Sequence, residues 1–153
     1  MKTLLLSMII VVLSGCSHGD KFTKSVPPLP WNISDMKVME IEDIKRAGAQ
    51  GQYIGRGNFI RNMLINELRQ SGLLIIEDDS PHQLIVRIEG YNPSEKYVAL
   101  SAQILDISTN RIIWNASISG VGKGTIDQVA QEVVREMAEA MVKKEKPDWG
   151  KTI

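Results

Sequence analysis

The chain is poor in the residues that build chemistry. Among 153 residues there are one cysteine and two histidines, so no disulfide can form within it and a His/Cys metal set cannot be assembled. Neither sign of charge prevails, because 18 basic side chains are matched by 18 acidic ones. That removes the clustered positive field on which nucleic-acid binding depends. No G-x-S-x-G stretch is present, so the strained turn that presents a serine nucleophile is not encoded. Nor does any apolar run reach the roughly 20 residues that a membrane-crossing helix needs. What is left is a balanced chain with 43% apolar residues, which suits one domain with one core.

The longest apolar run is Leu4 to Leu13, interrupted only by Ser7, with Lys2 before it and Ser14-Gly15-Cys16 after it. A short positive region, an h-region of this length and small residues ahead of a cleavage point make a signal peptide over residues 1–15. Leu13-Ser14-Gly15-Cys16 resembles the bacterial lipobox. That resemblance implies cleavage before Cys16, a diacylglycerol on its thiol and usually a further acyl chain on the new amino terminus. Two or three acyl chains hold a protein on a membrane almost permanently. A catalytic thiol would need a positioned base, and the nearest histidine, His18, lies in the leader. In lipoproteins of this class an aspartate after the cysteine retains the protein in the inner membrane. Here Ser17 stands there, which implies sorting to the periplasmic face of the outer membrane. Loss of Lys2 leaves 17 basic and 18 acidic residues, a net charge of about −1.

Residues 16–35 read as a tether, in which Pro27, Pro28 and Pro30 favour an extended spacer. An arm packed on the domain through Trp31 is the alternative. From residue 36 the pattern becomes regular. "MKVMEIED" is a short strand, and Phe59, Ile60, Met63, Leu64 and Leu68 fall at helical spacing between a candidate N-cap, Asn58, and a C-terminal glycine, Gly72. "LLIIED" is a buried strand. "QLIVRIEGY", "KYVALSAQILDIS" and "RIIWNASISG" form a meander with short links, the last with Ile112, Trp114, Ala116 and Ile118 on one face. Thr125 and Gln128 match a capping box before a second helix whose apolar stripe runs from Ile126 to Met141. Lysines 143, 144 and 146 suit its C-terminal dipole, and Pro147 follows its end. The expected fold is α+β: a β-α-β-β-β-β-α sandwich, mostly antiparallel, with two helices on one face. It would occupy residues 36–146, followed by a C-terminal tail over 147–153.

These elements resemble the TolB N-terminal domain and the curli secretion lipoprotein CsgG. The closing segment "LSAQILDISTNRIIWNASISG" carries the resemblance best: strand, Asp106, a turn with Thr109, and a strand with Trp114. Asn110 replaces the usual turn glycine, and Asn tolerates positive φ. Within that group the chain is most similar to the PelC family, outer-membrane lipoproteins of Pel exopolysaccharide export that assemble into periplasmic rings. The LpoB-type activators of peptidoglycan synthases are next, and auxiliary lipoproteins of lipid-transporting ABC systems share a related plan.

Several stretches remain as candidate sites. "GAQGQYIGRGN" is a long link before a helix, with Tyr53 and Arg56 as its contact residues; a connection without function is the alternative. Trp149 lies among lysines in "KKEKPDWGKTI". It would meet the membrane interface, a neighbouring subunit or its own domain. Trp114, on an alternating strand, reads as core or interface. The acidic turn Glu77-Asp78-Asp79 reads as a solvated loop, and His82 stands beside it. "GVGKGT" fails as a phosphate loop because Gly124 occupies the position that requires Ser or Thr.

The expectation is therefore a non-enzymatic lipoprotein with no catalytic residue, metal or cofactor. It would be an accessory or ring-forming subunit of a trans-envelope export machine. Its partners would be the membrane, through Cys16, further copies of itself, and an outer-membrane or periplasmic protein, with no nucleic acid. The alternatives are an activator of a peptidoglycan synthase and an auxiliary lipoprotein of a lipid-transporting ABC system.

Overall fold

A computed structural model describes residues 21–44 and 55–143. They form six strands and two helices in the order β1 (Lys21–Ser25), β2 (Asp35–Val38), α1 (Arg56–Gln70), β3 (Leu74–Ile75), β4 (His82–Asn92), β5 (Tyr97–Asp106), β6 (Arg111–Val121) and α2 (Ile126–Val142). The strands make one open sheet with spatial order β1-β6-β5-β4-β2-β3. Pairings β1/β6, β4/β5 and β5/β6 are antiparallel, whereas β2 runs parallel to both β3 and β4. The fold is α+β, as expected.

Alternation builds the covered face. Leu84 and Val86 of β4, Val98, Leu100, Ala102 and Ile104 of β5, and Trp114, Ala116 and Ile118 of β6 are all buried. Met36 and Val38 continue that face on β2. Against it α2 lays Val129, Ala130, Val133, Val134, Met137, Ala138 and Met141, every one buried. Full burial of each valine or methionine contributes roughly 1.5–3 kcal/mol, so this stripe is a principal source of cohesion. The capping box forms as the sequence implies: Gln128 N–H donates to Thr125 Oγ1 at 3.2 Å, and Thr125 N–H to Gln128 Oε1 at 2.8 Å. Helix α1 buries Ile60, Leu64, Ile65 and Leu68, with Phe59 and Met63 partly buried against the same core.

Four local expectations change. A strand, β1, lies inside the segment expected to be a spacer, and it closes the β6 edge through five registered residue pairs. The arm continues across the domain: Trp114 Nε1 donates to the Pro27 carbonyl at 3.0 Å and Leu29 N–H to the Met141 carbonyl at 2.8 Å. It does not pack through Trp31, which is 96% exposed. Asn58 is not the N-cap of α1; Gly55 holds that position. The expected "LLIIED" strand shrinks to two residues at the sheet edge. Finally, Ile112 leaves the buried face because Ile104 pairs with Trp114 while Leu105 pairs with Ile112. Ile113 is the extra residue of that bulge, and a bulge shifts the alternation by one.

Candidate functional site

The strand register gives the molecule two ends. At one, Lys21 of β1 lies beside Val121 of β6, and the Gly122 N–H donates to the Lys96 carbonyl in the β4–β5 turn. Both helices also begin there, because Arg56 of α1 reaches Asp127 of α2 at 2.6 Å. At the other end lie the starts of β2, β4 and β6, the β5–β6 turn and the last turns of both helices. The ten steps from Arg111 to Val121 separate the ends by about 34 Å at an antiparallel rise of about 3.4 Å per residue.

Large apolar side chains are exposed unevenly between these ends. Among the described residues, Trp31, Leu74, Ile107, Ile112 and Ile113 stand at the second end and Val121 at the first. Beside Trp31 is an apolar groove of about 210 Å³ lined by Leu29, Pro30, Leu73, Met141 and Val142.

Arg56, expected as a loop contact, is the first residue of α1. Its guanidinium pairs with Asp127, which also accepts the Tyr91 hydroxyl at 2.9 Å. It stacks over the rings of Phe59 and Tyr91 at 5.5 and 5.8 Å from their centroids. These groups fasten α1 and α2 to β4, so Arg56 is occupied within its own domain. The N-terminus of α1 is capped from a distance. Asp43 accepts the N–H groups of Gly55 at 2.7 Å and Gly57 at 2.6 Å. The approach is so close that a Cβ on Gly57 would lie 1.9 Å from the Ile41 carbonyl oxygen, so only glycine fits.

No family model and no curated protein matches this sequence. Solved structures do match in shape. PelC from Paraburkholderia phytofirmans, solved as a dodecamer, aligns with a TM-score of 0.62 at 13% identity, over 82% of this chain and 99% of that one. A DUF4136 family protein from Bacteroides thetaiotaomicron aligns at 0.53 and 9% identity, over 82% and 99% of the two chains. A DUF330 protein from Xanthomonas campestris aligns at 0.51 and 12%, over 76% and 88%. This chain shares the fold of PelC. At such identities the likeness is one of fold alone, in agreement with the resemblance read from the closing strands.

Glu77 meets Arg69 at 3.3 Å and Arg61 at 3.6 Å, and Arg61 also donates to the Val38 carbonyl at 2.9 and 3.1 Å. Asp35, Ser80 and His82 lie together, but their order is unsuited to activating a nucleophile. Ser80 Oγ donates to Asp35 at 3.1 Å, and the bond it receives comes from the His82 backbone N–H. The imidazole Nδ1 of His82 is buried without a hydrogen-bond partner and 4.0 Å from Asp35. A triad needs its base bonded to the nucleophile. Among the described residues no group of three or more His, Cys, Asp or Glu side chains could hold a metal ion, and no helix is long and apolar enough to cross a membrane. Cys16, Ser17, Tyr53 and Trp149 lie outside the described residues.

Proposed function

We propose that this protein is a non-enzymatic lipoprotein, anchored through Cys16 to the periplasmic face of the outer membrane, that forms a closed homo-oligomer within a trans-envelope export machine. Exopolysaccharide is the favoured cargo class and protein the second. The observation that carries the reading is the shared fold with a PelC dodecamer over 82% of this chain and 99% of the other. The lipobox-like Leu13-Ser14-Gly15-Cys16 and the Ser17 that follows it add the anchor and its destination. Mechanistically the protein would supply position and symmetry. A head-to-tail contact that closes by rotation makes a ring, and its lipid chains would hold that ring flush with the membrane.

The test is the native mass of the full-length protein extracted in mild detergent, compared with unlipidated Cys16→Ala. A single oligomer of defined copy number in the lipidated preparation is the expected result. A strict monomer in both preparations would count against the ring and shift the reading to a synthase activator or a transport auxiliary.

A further inference from the structure

The two helices cover one face of the sheet and leave the other bare. Both pack on the side that carries Leu84, Leu100 and Ile118. Phe22 lies over Gly120 on that side, and Lys24 reaches Glu136 of α2 at 2.8 Å. Alternation therefore sends Thr23 and Ser25 of β1, the odd positions of β5 from Tyr97 to Gln103 and those of β6 from Asn115 to Val121 to the bare side. The registers set these side chains in rows. Thr23 lies beside Ser119, and Ser119 beside Ala99. Ser25 lies beside Ser117, and Ser117 beside Ser101, with Asn115 beside Gln103 in the next row. With strands about 4.8 Å apart and a rise of about 3.4 Å per residue, the field is about 10 Å across and about 20 Å long.

Its distinguishing property is the absence of charge. The chain is 24% charged and exposed surface is ordinarily at least as rich, yet none of the side chains in those rows is an acid or a base. The bordering charges are of both signs: Lys21 at one end, Asp106 and Arg111 at the other, and on β4 Arg87 with Glu89, which accepts the Ser101 hydroxyl. The side chains of Thr23, Ser117, Asn115 and Gln103 are exposed and make no hydrogen bond to another described residue. Tyr97 closes the field with an aromatic ring. A Cβ on Gly90 would lie 2.8 Å from one ring carbon and 3.4 Å from the next. The half-buried ring thus rests on the β4 backbone where glycine leaves room for it, with its other face turned outward.

These groups match a sugar chain. The C–H face of a pyranose ring is apolar and packs on an aromatic ring, while its hydroxyls, each donor and acceptor, suit serine, threonine and amide side chains. An ionised partner would find nothing in the field to offset the loss of its hydration. A second copy of the chain is a poor occupant as well, because interfaces between copies are more apolar and depleted in serine.

We infer that the bare face of β1, β6 and β5 is a contact surface for an uncharged glycan, with a sugar ring stacked on Tyr97 and neighbouring sugar hydroxyls bonded by Thr23, Ser117, Asn115 and Gln103. The glycan is the exported chain, so for its source the inference rests on the export reading above. Many replaceable hydrogen bonds and no ion pair suit a polymer that slides past the surface.

The probes are cellohexaose and hexa-N-acetylchitohexaose, both uncharged, with a galacturonic acid hexamer and a fully deacetylated chitosan hexamer as the anionic and cationic comparisons. Each is titrated calorimetrically into the full-length lipidated protein in mild detergent. The expected result is saturable binding of at least one uncharged hexamer, several-fold tighter than either charged one. That binding should be lost in Tyr97→Ala, kept in Tyr97→Phe and weakened several-fold in Asn115→Ala; the last two leave Gly90 covered, so the outcome does not hang on a variant that fails to fold. Binding of neither uncharged hexamer, tighter binding of a charged one, or binding indifferent to both Tyr97→Ala and Asn115→Ala overturns the surface. Native mass is read on the same samples. A monomeric wild type that binds as expected overturns the ring and leaves the surface in place, whereas fewer copies in Asn115→Ala than in wild type would put a second copy on this face and overturn the glycan.

Discussion

Asp106 shows how much one exposed side chain can organise. Its Oδ1 accepts the Ser108 hydroxyl at 2.6 Å, the Ser108 N–H at 2.9 Å and the Thr109 N–H at 3.3 Å. With Asn110 at φ 52° completing the reversal, these bonds make an Asx-type turn. The Ser108 hydroxyl is the largest influence and holds the Asp106 carboxyl below its ordinary value of 3.8; desolvation opposes it, and the Thr109 and Ser108 backbone donors add to the lowering. A carboxylate depressed in the folded state contributes stability above its unfolded pKa, and that contribution disappears as pH falls through the folded value. The turn is therefore expected to loosen only below about pH 3.8. In a carboxyl-detected NMR titration, Ser108→Ala should move Asp106 upward toward that value. An unchanged midpoint would mean that the hydroxyl is not the cause. This turn was legible in the sequence because all its parts lie within five residues, and the same local economy made the Thr125–Gln128 cap legible.

At the scale of elements, long-range partners decided what sequence could not. Asp43 caps a helix that starts more than ten residues later, so no rule built on neighbouring positions finds it, and Asn58 attracted the assignment instead. In "KFTKS" Phe22 is the single apolar residue, next to a run containing three prolines, so β1 looks like spacer until the open β6 edge is known. The stripes of α1, α2 and the meander needed no such knowledge, since periodicity alone orients them. The bulge at Ile113 was hidden because strict alternation through "RIIW" puts Ile112 on the Trp114 face, and only the pairing with β5 reveals the extra residue. Strand β1 yields its own prediction. A chain beginning at Val26 should keep the α2 stripe and the β4–β5 pairing but leave the β6 edge open. Its β6 amides facing β1 should lose protection in hydrogen exchange, with the β5 amides facing β4 unaffected, because opening is confined to the element that was removed. Protection lost throughout the sheet would instead make β1 integral to global stability.

For the whole molecule, the decisive fact is that the described residues begin and finish at opposite ends of the sheet. Lys21 marks the entry, beside Val121, and α2 ends at Val142 next to the Leu29–Trp31 groove. Trp149 follows Lys143 by six residues, a reach of at most about 21 Å, against about 34 Å between the ends. That reach cannot carry Trp149 to the Lys21 end, so a lipid contact through it requires the Trp31 end to lie at the membrane. Within reach are the groove of its own domain, a neighbouring copy, or a membrane at the Trp31 end. Fluorescence separates the first two from a lipid contact. If the bilayer lies at the lipidated Lys21 end, the fraction of tryptophan emission quenched in vesicles containing brominated lipid should be the same for the lipidated wild type and for Trp149→Phe. Quenching present in the wild type and lost in Trp149→Phe would place that indole in the membrane and require the domain to lie on its side. If quenching is absent from both, the native mass of Trp149→Ala decides between the remaining contacts: a smaller oligomer assigns Trp149 to the subunit interface, and an unchanged one assigns it to its own groove.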